Sequence, residues 1–564
     1  MTGLGDPLRL ACGLVLPNRL MKAALSEGLA DGEHRPDDRL ERLFARWGSG
    51  GYGLVVTGNV MVDRDHLGEP GNVVLDRERD LDRLSRWAKT TKDGGAPIWV
   101  QLNHPGRQSN PLATRSRPVA PSAIALNLPG LPTPRALGEA EIEEILERFA
   151  AAAALAESAG FDGVQVHGAH GYLVSQFLSP LSNQREDAWG GDPARRMRFA
   201  LEVVHRIRAT VSPGFAVGIK LNSADFQRGG FGQDESRAVI EHLAAEQVDL
   251  IEISGGSYES PAMMGRPAVQ STSTREREAY FLSYAQSARE AAGTVPLAVT
   301  GGFRSRAVMD GAIGSGACEV IGLGRPTVIS PEAANEILAG RDRLDAPRIS
   351  TGLPRGLAKR SAVKSLDGAL DLQWHTDQLH RLGAGRDPAP DRPAWRTGIS
   401  MVKRNGLDAF RGSGRSAGSG SERVLRRFRF ERAVGRYLAN PAVRGLSRLG
   451  IRVSLATEIE TTGRKTGQPR RVPVSVLFDT EGAWLICQHG TRSGWGANLT
   501  AHPGIRVRQG NRWRTGTAVF VPEDDVEARA RSFAPHPALG VLSAATFRAL
   551  QTRPVSVRVT FTDG

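Results

Sequence analysis

Three groups of residues in this chain have types and spacing that chemistry could use. The first is a set of polar side chains that each close or follow a short apolar run: Ser26, Asn59, Gln101 with Asn103, His167 with His170, and Lys220. The second is a set of glycines, because the last three runs end in Ser254-Gly255-Gly256, Thr300-Gly301-Gly302 and Gly324-Arg325. Glycines with accessible backbone N–H groups beside an arginine suit a phosphate, whose oxygens take several donors at close approach. That pattern points to a phosphorylated cofactor. The third group lies in TTGRKTGQPRRVPVSV (461–476), where Arg464, Lys465, Arg470 and Arg471 occupy a glycine-bounded turn that could cradle an anion. Taken singly each signal is weak. A lone histidine after a strand is more often structural, an isolated charged turn more often faces water, and a loop glycine can serve only a positive φ.

The elements that must position these residues are legible in the hydrophobic pattern. From Arg19 to Arg325 eight apolar runs recur: RLMKAAL (19–25), GLVVTG (53–58), PIWVQL (97–102), FDGVQVH (161–167), FAVGIKL (214–220), VDLIEIS (248–254), VPLAVT (295–300) and CEVIGLG (318–324). Most are followed by a helical pattern. Glu139 to Ser158 is the clearest, with acidic residues at its start, Ile142, Ile145, Leu146 and Phe149 at helical spacing, and Gly160 after its end. A repeated β–α alternation implies a parallel sheet. Eight units, with no G-x-G-x-x-G after an early strand, predict an α/β fold of the closed (β/α)8 TIM-barrel type rather than an open doubly wound sheet. In such a barrel catalytic groups come from the C-terminal strand ends, which is where the polar residues fall.

Beyond the barrel, DLQWHTDQL (371–379) reads as an amphipathic helix, and RGSGRSAGSGS (411–421) has the composition of a flexible linker. The expected organisation is a barrel over 1–395, a linker over 396–422 and a second domain over 423–564. That domain opens with a helical stretch, Arg423 to Leu449. It continues in alternating segments, TEIETTG, RVPVSVLF, AWLICQ, GIRVRQ, RWRTGTAVF and VSVRVTF, which predict a small β-barrel. The chain has 564 residues and a formal net charge of +13, and residues 421–564 alone hold 23 Lys and Arg against 11 Asp and Glu. A basic excess confined to one small domain fits a site for a polyanionic ligand better than a nucleic-acid or membrane-binding tail, which would need no apolar core. The three cysteines, Cys12, Cys318 and Cys487, form no metal pattern and no disulfide framework. Met1 to Leu10 lacks a basic stretch followed by an apolar run, and no segment is long and apolar enough to span a bilayer. A cytoplasmic protein is expected, with no membrane or nucleic-acid partner and with a homo-oligomer left open.

The segment HGAHGYLVSQFLSPLSNQREDAWGGDPARRMRF (167–199) closely resembles the signature of the Old Yellow Enzyme family. The N-R-L at Asn18, Q-L-x-H-x-G-R from Gln101, V-T-G-G-F and G-L-G-R-P are similar too, so the resemblance covers about residues 1–390. It implies an FMN-dependent ene-reductase acting on small activated alkenes. By this resemblance the FMN phosphate lies at Gly301, Gly302, Gly324 and Arg325, and Lys220 lies by the N1 to C2=O edge of the ring. Gln101 then faces the pyrimidine edge, and Ala24, Leu25, Ser26 and Asn59 line the isoalloxazine. His167 and His170 would hydrogen-bond a substrate carbonyl oxygen, and Tyr172 would protonate the α carbon. Ser26 stands where threonine or cysteine is common, and Trp189 where tyrosine is usual.

The basic turn, with QHGTRSGWGANLTAHPGIRVR (488–508), resembles the split-β-barrel deazaflavin-dependent nitroreductase family, whose cofactor is coenzyme F-420. That resemblance places the cofactor's phosphate at Arg464, Lys465 and Thr466, and its ring near Trp495 and Asn498. Tyr437 is the last tyrosine in the chain, so the C-terminal tyrosine associated with nitroimidazole reduction has no counterpart. The expectation is hydride supply from reduced F-420 to FMN, with NAD(P)H as the competing reductant.

Overall fold

Each of the eight apolar runs becomes a strand of one parallel barrel in the computed structural model. The strands are β1 (Leu20–Lys22), β2 (Leu54–Met61), β3 (Ile98–Asn103), β4 (Gly163–Gly168), β5 (Ala216–Asn222), β6 (Leu250–Ser254), β7 (Leu297–Thr300) and β8 (Val320–Leu323). They pair in chain order and close through β8–β1 and β1–β2. Residues 2–564 are described except 111–112, 115, 127–131, 256–280, 348, 351–360, 395, 398–399, 401–456, 465, 488–489, 491–492, 511, 534–554 and 563–564. Gly256, Lys465, the linker 411–421 and the expected helix from Arg423 to Leu449 therefore lie outside the described residues. The chain divides into two compact units, Met1–Ser413 and Gly414–Gly564.

The runs form strands because a parallel sheet is buried on both faces and so reads as continuous apolar sequence. Inside the barrel, Met21, Leu54, Val56, Trp99, Ala216, Leu250, Ala298 and Val320 make an apolar core near the strand starts. A hairpin of Leu8–Arg9 and Val15–Leu16 adds Leu10 and Leu16 to that core, and Asp249 accepts the Cys12 N–H at 2.8 Å, pinning the hairpin to the barrel. The larger core lies between the outer strand faces and the helices. The helix expected over Glu139–Ser158 forms over that range and buries Ile142, Ile145, Leu146 and Phe149. The segment 371–379 lies in the helix Ser361–Gly383, which buries Trp374 and whose His380 Nε2 is 3.0 Å from the Glu27 carbonyl oxygen.

One polar residue on β1 is unusual. Lys22 is fully buried, with its Nζ donating to the Val56 carbonyl at 2.9 Å and lying 3.9 Å from the centre of the Trp47 ring. Burial pushes its pKa down to about 8, against the pull of the Glu27 carboxylate 3.9 Å away. Glu27 in turn accepts the Gly58 N–H at 2.8 Å, so this pair ties the loop after β1 to β2.

The second unit holds seven antiparallel strands: β9 (Thr457–Thr462), β10 (Pro469–Val474), β11 (Val476–Phe478), β12 (Gly482–Cys487), β13 (Gly504–Gln509), β14 (Arg512–Val521) and β15 (Val555–Phe561). Their order is β10-β9-β13-β14-β15-β12-β11. The two ends of that order are consecutive in sequence, separated by Ser475 alone. One bent segment thus supplies both edges, and the sheet curls on itself into a half-barrel around Ile459, Leu485, Val507, Val557 and Val559. Among the described residues no helix is long and apolar enough to cross a membrane.

Candidate functional site

Side chains alternate along a strand, so each barrel strand presents every second residue to the interior. This parity lifts Trp99 to Gln101 on β3, Ala216 to Lys220 on β5, and Leu250 to Glu252 and then Ser254 on β6. Above the apolar core it builds a buried polar layer. Gln101 Nε2 donates to Gln165 Oε1 at 2.7 Å, Gln165 Nε2 donates to Glu252 Oε2 at 2.8 Å, and Lys220 Nζ lies 2.8 Å from Glu252 Oε1. None of the four is more than 3% exposed. Burying a lysine and a glutamate is tolerable because they face each other and Gln165 donates to the second carboxylate oxygen.

Two residues beyond this layer, along β4 and β6, the strand ends carry the expected rim. The His167 and His170 ring centres are 5.0 Å apart, and the Tyr172 ring lies 4.7 Å from His167. Tyr172 Oη accepts a hydrogen bond from Asn59 Nδ2 at 3.2 Å. Asn59 was expected just after β2; it lies inside that strand, which runs on to Met61 through a register shift between Val56 and Asn59. Burial pushes both imidazoles down, helped by His170 and Lys220 for His167 and by Lys220 for His170: His167 lies well below its ordinary range and His170 falls to about 3. Both are therefore neutral at physiological pH. His167 Nδ1 accepts the Ala169 N–H at 3.3 Å, which leaves Nε2 to carry the ring proton and act as a donor.

The glycine-rich ends of β7 and β8 bear on the expected phosphate. Gly301 and Gly302 have φ of +140° and +89°, a region that favours glycine. Among the described residues the main-chain N–H groups of Gly301, Gly302, Gly324 and Arg325 are given no acceptor by the protein. Asn59 Oδ1 and Thr300 Oγ1 are also buried without a partner. Unmatched donors and acceptors gathered on one rim fit a bound polar group that carries a phosphate. Arg325 is held by Asp371 at 2.9 Å, so the helix Ser361–Gly383 aims it. Ser26, after Ala24 and Leu25, donates its hydroxyl to the Glu69 carboxylate.

In the second unit Arg464 and Thr466 sit in the turn joining β9 to β10, closed by Gly463 N–H to the Gln468 carbonyl at 2.9 Å and by Gly467 at φ +67°. The helix Gly494–Ala501 lies against it. Asn498 Oδ1 accepts the Arg464 N–H at 3.2 Å and its Nδ2 donates to Thr461 Oγ1 at 3.1 Å, while Trp495 packs on the half-barrel core. Asn498 thus spends its amide on holding the turn.

Residues 4–343 match the model of the NADH:flavin oxidoreductase / NADH oxidase family, more than half of the chain. The chain belongs to that family. Residues 440–560 match a second model, described as F-420H(2)-dependent quinone reductase. The chain is 39% identical over 362 residues to "NADH-dependent flavin oxidoreductase iliE" of Hypocrea jecorina, covering 60% of this chain and 90% of that protein. It is 36% identical over 410 residues to "NADH-dependent flavin oxidoreductase iccE" of Talaromyces variabilis, covering 67% of this chain and 98% of that protein. The barrel is also similar to that of an Old Yellow Enzyme homologue from Zymomonas mobilis, with a TM-score of 0.53, 24% identity, and coverage of 61% and 94% of the two chains. As a member of the NADH:flavin oxidoreductase family the chain is an FMN oxidoreductase of Old Yellow Enzyme type joined to an F-420-dependent reductase domain.

Gln165, Glu252 and Asn222 were not singled out from the sequence, and Ser254 entered only as the start of a glycine-rich strand end. The first two are lone polar residues inside apolar runs, VQV and IEI, and that interruption is the signal that could have found them. A further group, Asp63, His66 and His104, has the makings of a metal site, its ligand atoms lying within 4.8 Å of one another. Its donor set is unsuited to that task. Arg148 Nη1 already lies 2.5 Å from Asp63 Oδ2, and His104 Nδ1 accepts the Gly106 N–H at 3.1 Å, which puts the ring proton on the Nε2 that faces Asp63.

Proposed function

We propose that the barrel reduces carbon–carbon double bonds conjugated to a carbonyl in small molecules. The observation that supports this most is the pairing of two neutral imidazoles, His167 buried and His170 half-buried, with Tyr172 at one rim, beside the unfilled donors of β7 and β8. FMN, when bound there, supplies the hydride that the β carbon receives. His167 and His170 hold the substrate's carbonyl oxygen by hydrogen bonds, which strengthen as that oxygen gains negative charge. Losing one such donor costs on the order of a hundredfold in rate. Tyr172 delivers the proton from Oη to the α carbon and recovers one from solvent, so the substrate gains one hydride and one proton. Lys220 would lie by the N1 to C2=O edge of the flavin and Gln101 by its pyrimidine edge, with the Lys220 charge offset by Glu252 rather than free.

The reductant we assign is reduced coenzyme F-420, held in the second unit by the turn of Arg464 and Thr466 that Asn498 braces. The basic excess of residues 421–564 supports an anionic cofactor there. A second reading, NADH as reductant for the barrel, is favoured by the names of the two fungal relatives. The three cysteines, none of them in a disulfide, suit a cytoplasmic setting for either. Anaerobic stopped-flow absorbance on the FMN-loaded protein separates the readings. Rapid bleaching of FMN by reduced F-420 and not by NADH or NADPH supports the first, and bleaching by the nicotinamides alone supports the second. Failure of an enone such as 2-cyclohexenone to reoxidise the bleached flavin would remove the ene-reductase assignment.

A further inference from the structure

His170 is held by residues from three other elements. Its N–H donates to Asn222 Oδ1 at 3.2 Å, its carbonyl oxygen accepts from Gln108 Nε2 at 2.9 Å, and its ring Nε2 lies 2.9 Å from Ser254 Oγ. The first two contacts secure a left-handed backbone, φ +61°, that a side-chain-bearing residue rarely adopts. The third carries chemical information. A neutral imidazole has a single ring proton, and the nitrogen that bears it decides whether the ring can donate to a ligand.

Ser254, at the end of β6, is 5% exposed, and its hydroxyl has His170 as its hydrogen-bond partner. If Nε2 bore the ring proton, Ser254 Oγ would accept it and the buried hydroxyl hydrogen would be left without an acceptor. If Ser254 instead donates to Nε2, that hydrogen is used and the ring proton sits on Nδ1. The second arrangement wins because an unmatched buried donor bears its whole desolvation cost, whereas a spare lone pair on a hydroxyl oxygen costs little. His167 is set as a donor at Nε2 by the Ala169 N–H, so the two rings would be fixed independently, one by main chain and one by a side chain.

We propose that Ser254 is a positioning residue that sets His170 as the Nδ1–H tautomer, so that His170 and His167 each direct one N–H at the same substrate oxygen. This rests on the ene-reductase reading given above. Without the hydroxyl the ring is free to place its proton on either nitrogen, and a fraction of molecules turns a lone pair towards the substrate oxygen.

The test uses the full-length, FMN-loaded protein and its Ser254→Ala and Ser254→Thr variants. Binding of 4-nitrophenolate, read from the visible absorption of the anion itself, reports the two donors without turnover. Reoxidation of dithionite-reduced FMN by 2-cyclohexenone reports them in reaction. Ser254→Ala is expected to weaken anion binding and slow reoxidation by about five- to tenfold, the worth of one ordinary hydrogen bond. FMN content should be unchanged, and Ser254→Thr should restore both readouts. Should Ser254→Ala fail to load FMN, Ser254→Cys, with a weaker donor of similar size, is expected to show the same losses. An alanine variant equal to wild type, or a threonine variant as impaired as alanine, overturns the assignment. If wild type is not reoxidised by the enone but anion binding still responds to Ser254→Ala, the tautomer assignment stands and the ene-reductase reading falls.

Discussion

His167 and His170 are held neutral by burial beside Lys220, and this has a consequence for stability. Their folded pKa values lie below the ordinary value of 6.5, His170 at about 3. The unfolded chain therefore binds protons that the folded one refuses, and the folded state loses stability as pH falls from about 6.5 towards the folded values. His104, pushed down to about 4 by burial, adds to the same limb. Denaturant midpoints measured from about pH 7.5 to 5 should fall with acidification, and His170→Asn should flatten that fall. An equal slope in the variant would show that the ring titrates normally. Tyr172 makes the complementary prediction, because its hydroxyl is the proton source in the proposed reaction. Tyr172→Phe should slow enone-driven reoxidation of reduced FMN by about 100- to 10,000-fold while leaving FMN reduction by the donor unchanged. Rapid mixing resolves the two half-reactions separately.

At the level of elements, placement depends on strands and helices that bring distant residues together. In the barrel the inward parity of β3, β4, β5 and β6 stacks Gln101, Gln165, Lys220 and Glu252 into one layer beneath the histidines. In the second unit the helix Gly494–Ala501 serves the turn after β9 through a single side chain, Asn498, 9% exposed and bonded on both sides of its amide. Removing it leaves the Arg464 N–H and Thr461 hydroxyl to find water, and the turn loses its brace. Asn498→Ala is expected to weaken F-420 binding by about 5- to 50-fold, the worth of one to two hydrogen bonds, with FMN affinity unaltered. Fluorescence titration of F-420 measures the first and FMN retention on gel filtration the second. Undiminished F-420 affinity in the variant would place the ligand away from this turn.

On the scale of the whole molecule the two units differ in charge, and this bears on the ligands proposed for them. Attraction between a basic surface and an anionic cofactor is screened by salt, whereas hydrogen bonds from enclosed glycine amides are screened much less. Raising salt from about 0.05 to 0.5 M should therefore weaken F-420 binding and slow F-420-driven bleaching several-fold, with FMN occupancy held. Salt-independent F-420 affinity, measured by the same titration, would argue that its anionic groups are not read by the basic turn. Much of this architecture was legible before any coordinates. All eight barrel strands could be read because strands covered on both faces are unbroken apolar runs, and the rim residues because polar side chains sit where those runs stop. The strands of the second unit showed through their alternation. The partners were not legible. Glu252 lies 87 positions from Gln165 and Ser254 lies 84 from His170, so local spacing carries no trace of either contact. The same holds for the bent segment Pro469–Phe478 that supplies both edges of the half-barrel sheet. Residue order alone determined the βα repeat, the second domain and the chemical types at each site, because these follow from local periodicity, composition and motif. Only the tertiary structure decided that both histidines are neutral, that Lys220 is paired and that Asn498 holds a turn, because desolvation and hydrogen bonding are set by neighbours that the chain brings together only when it folds.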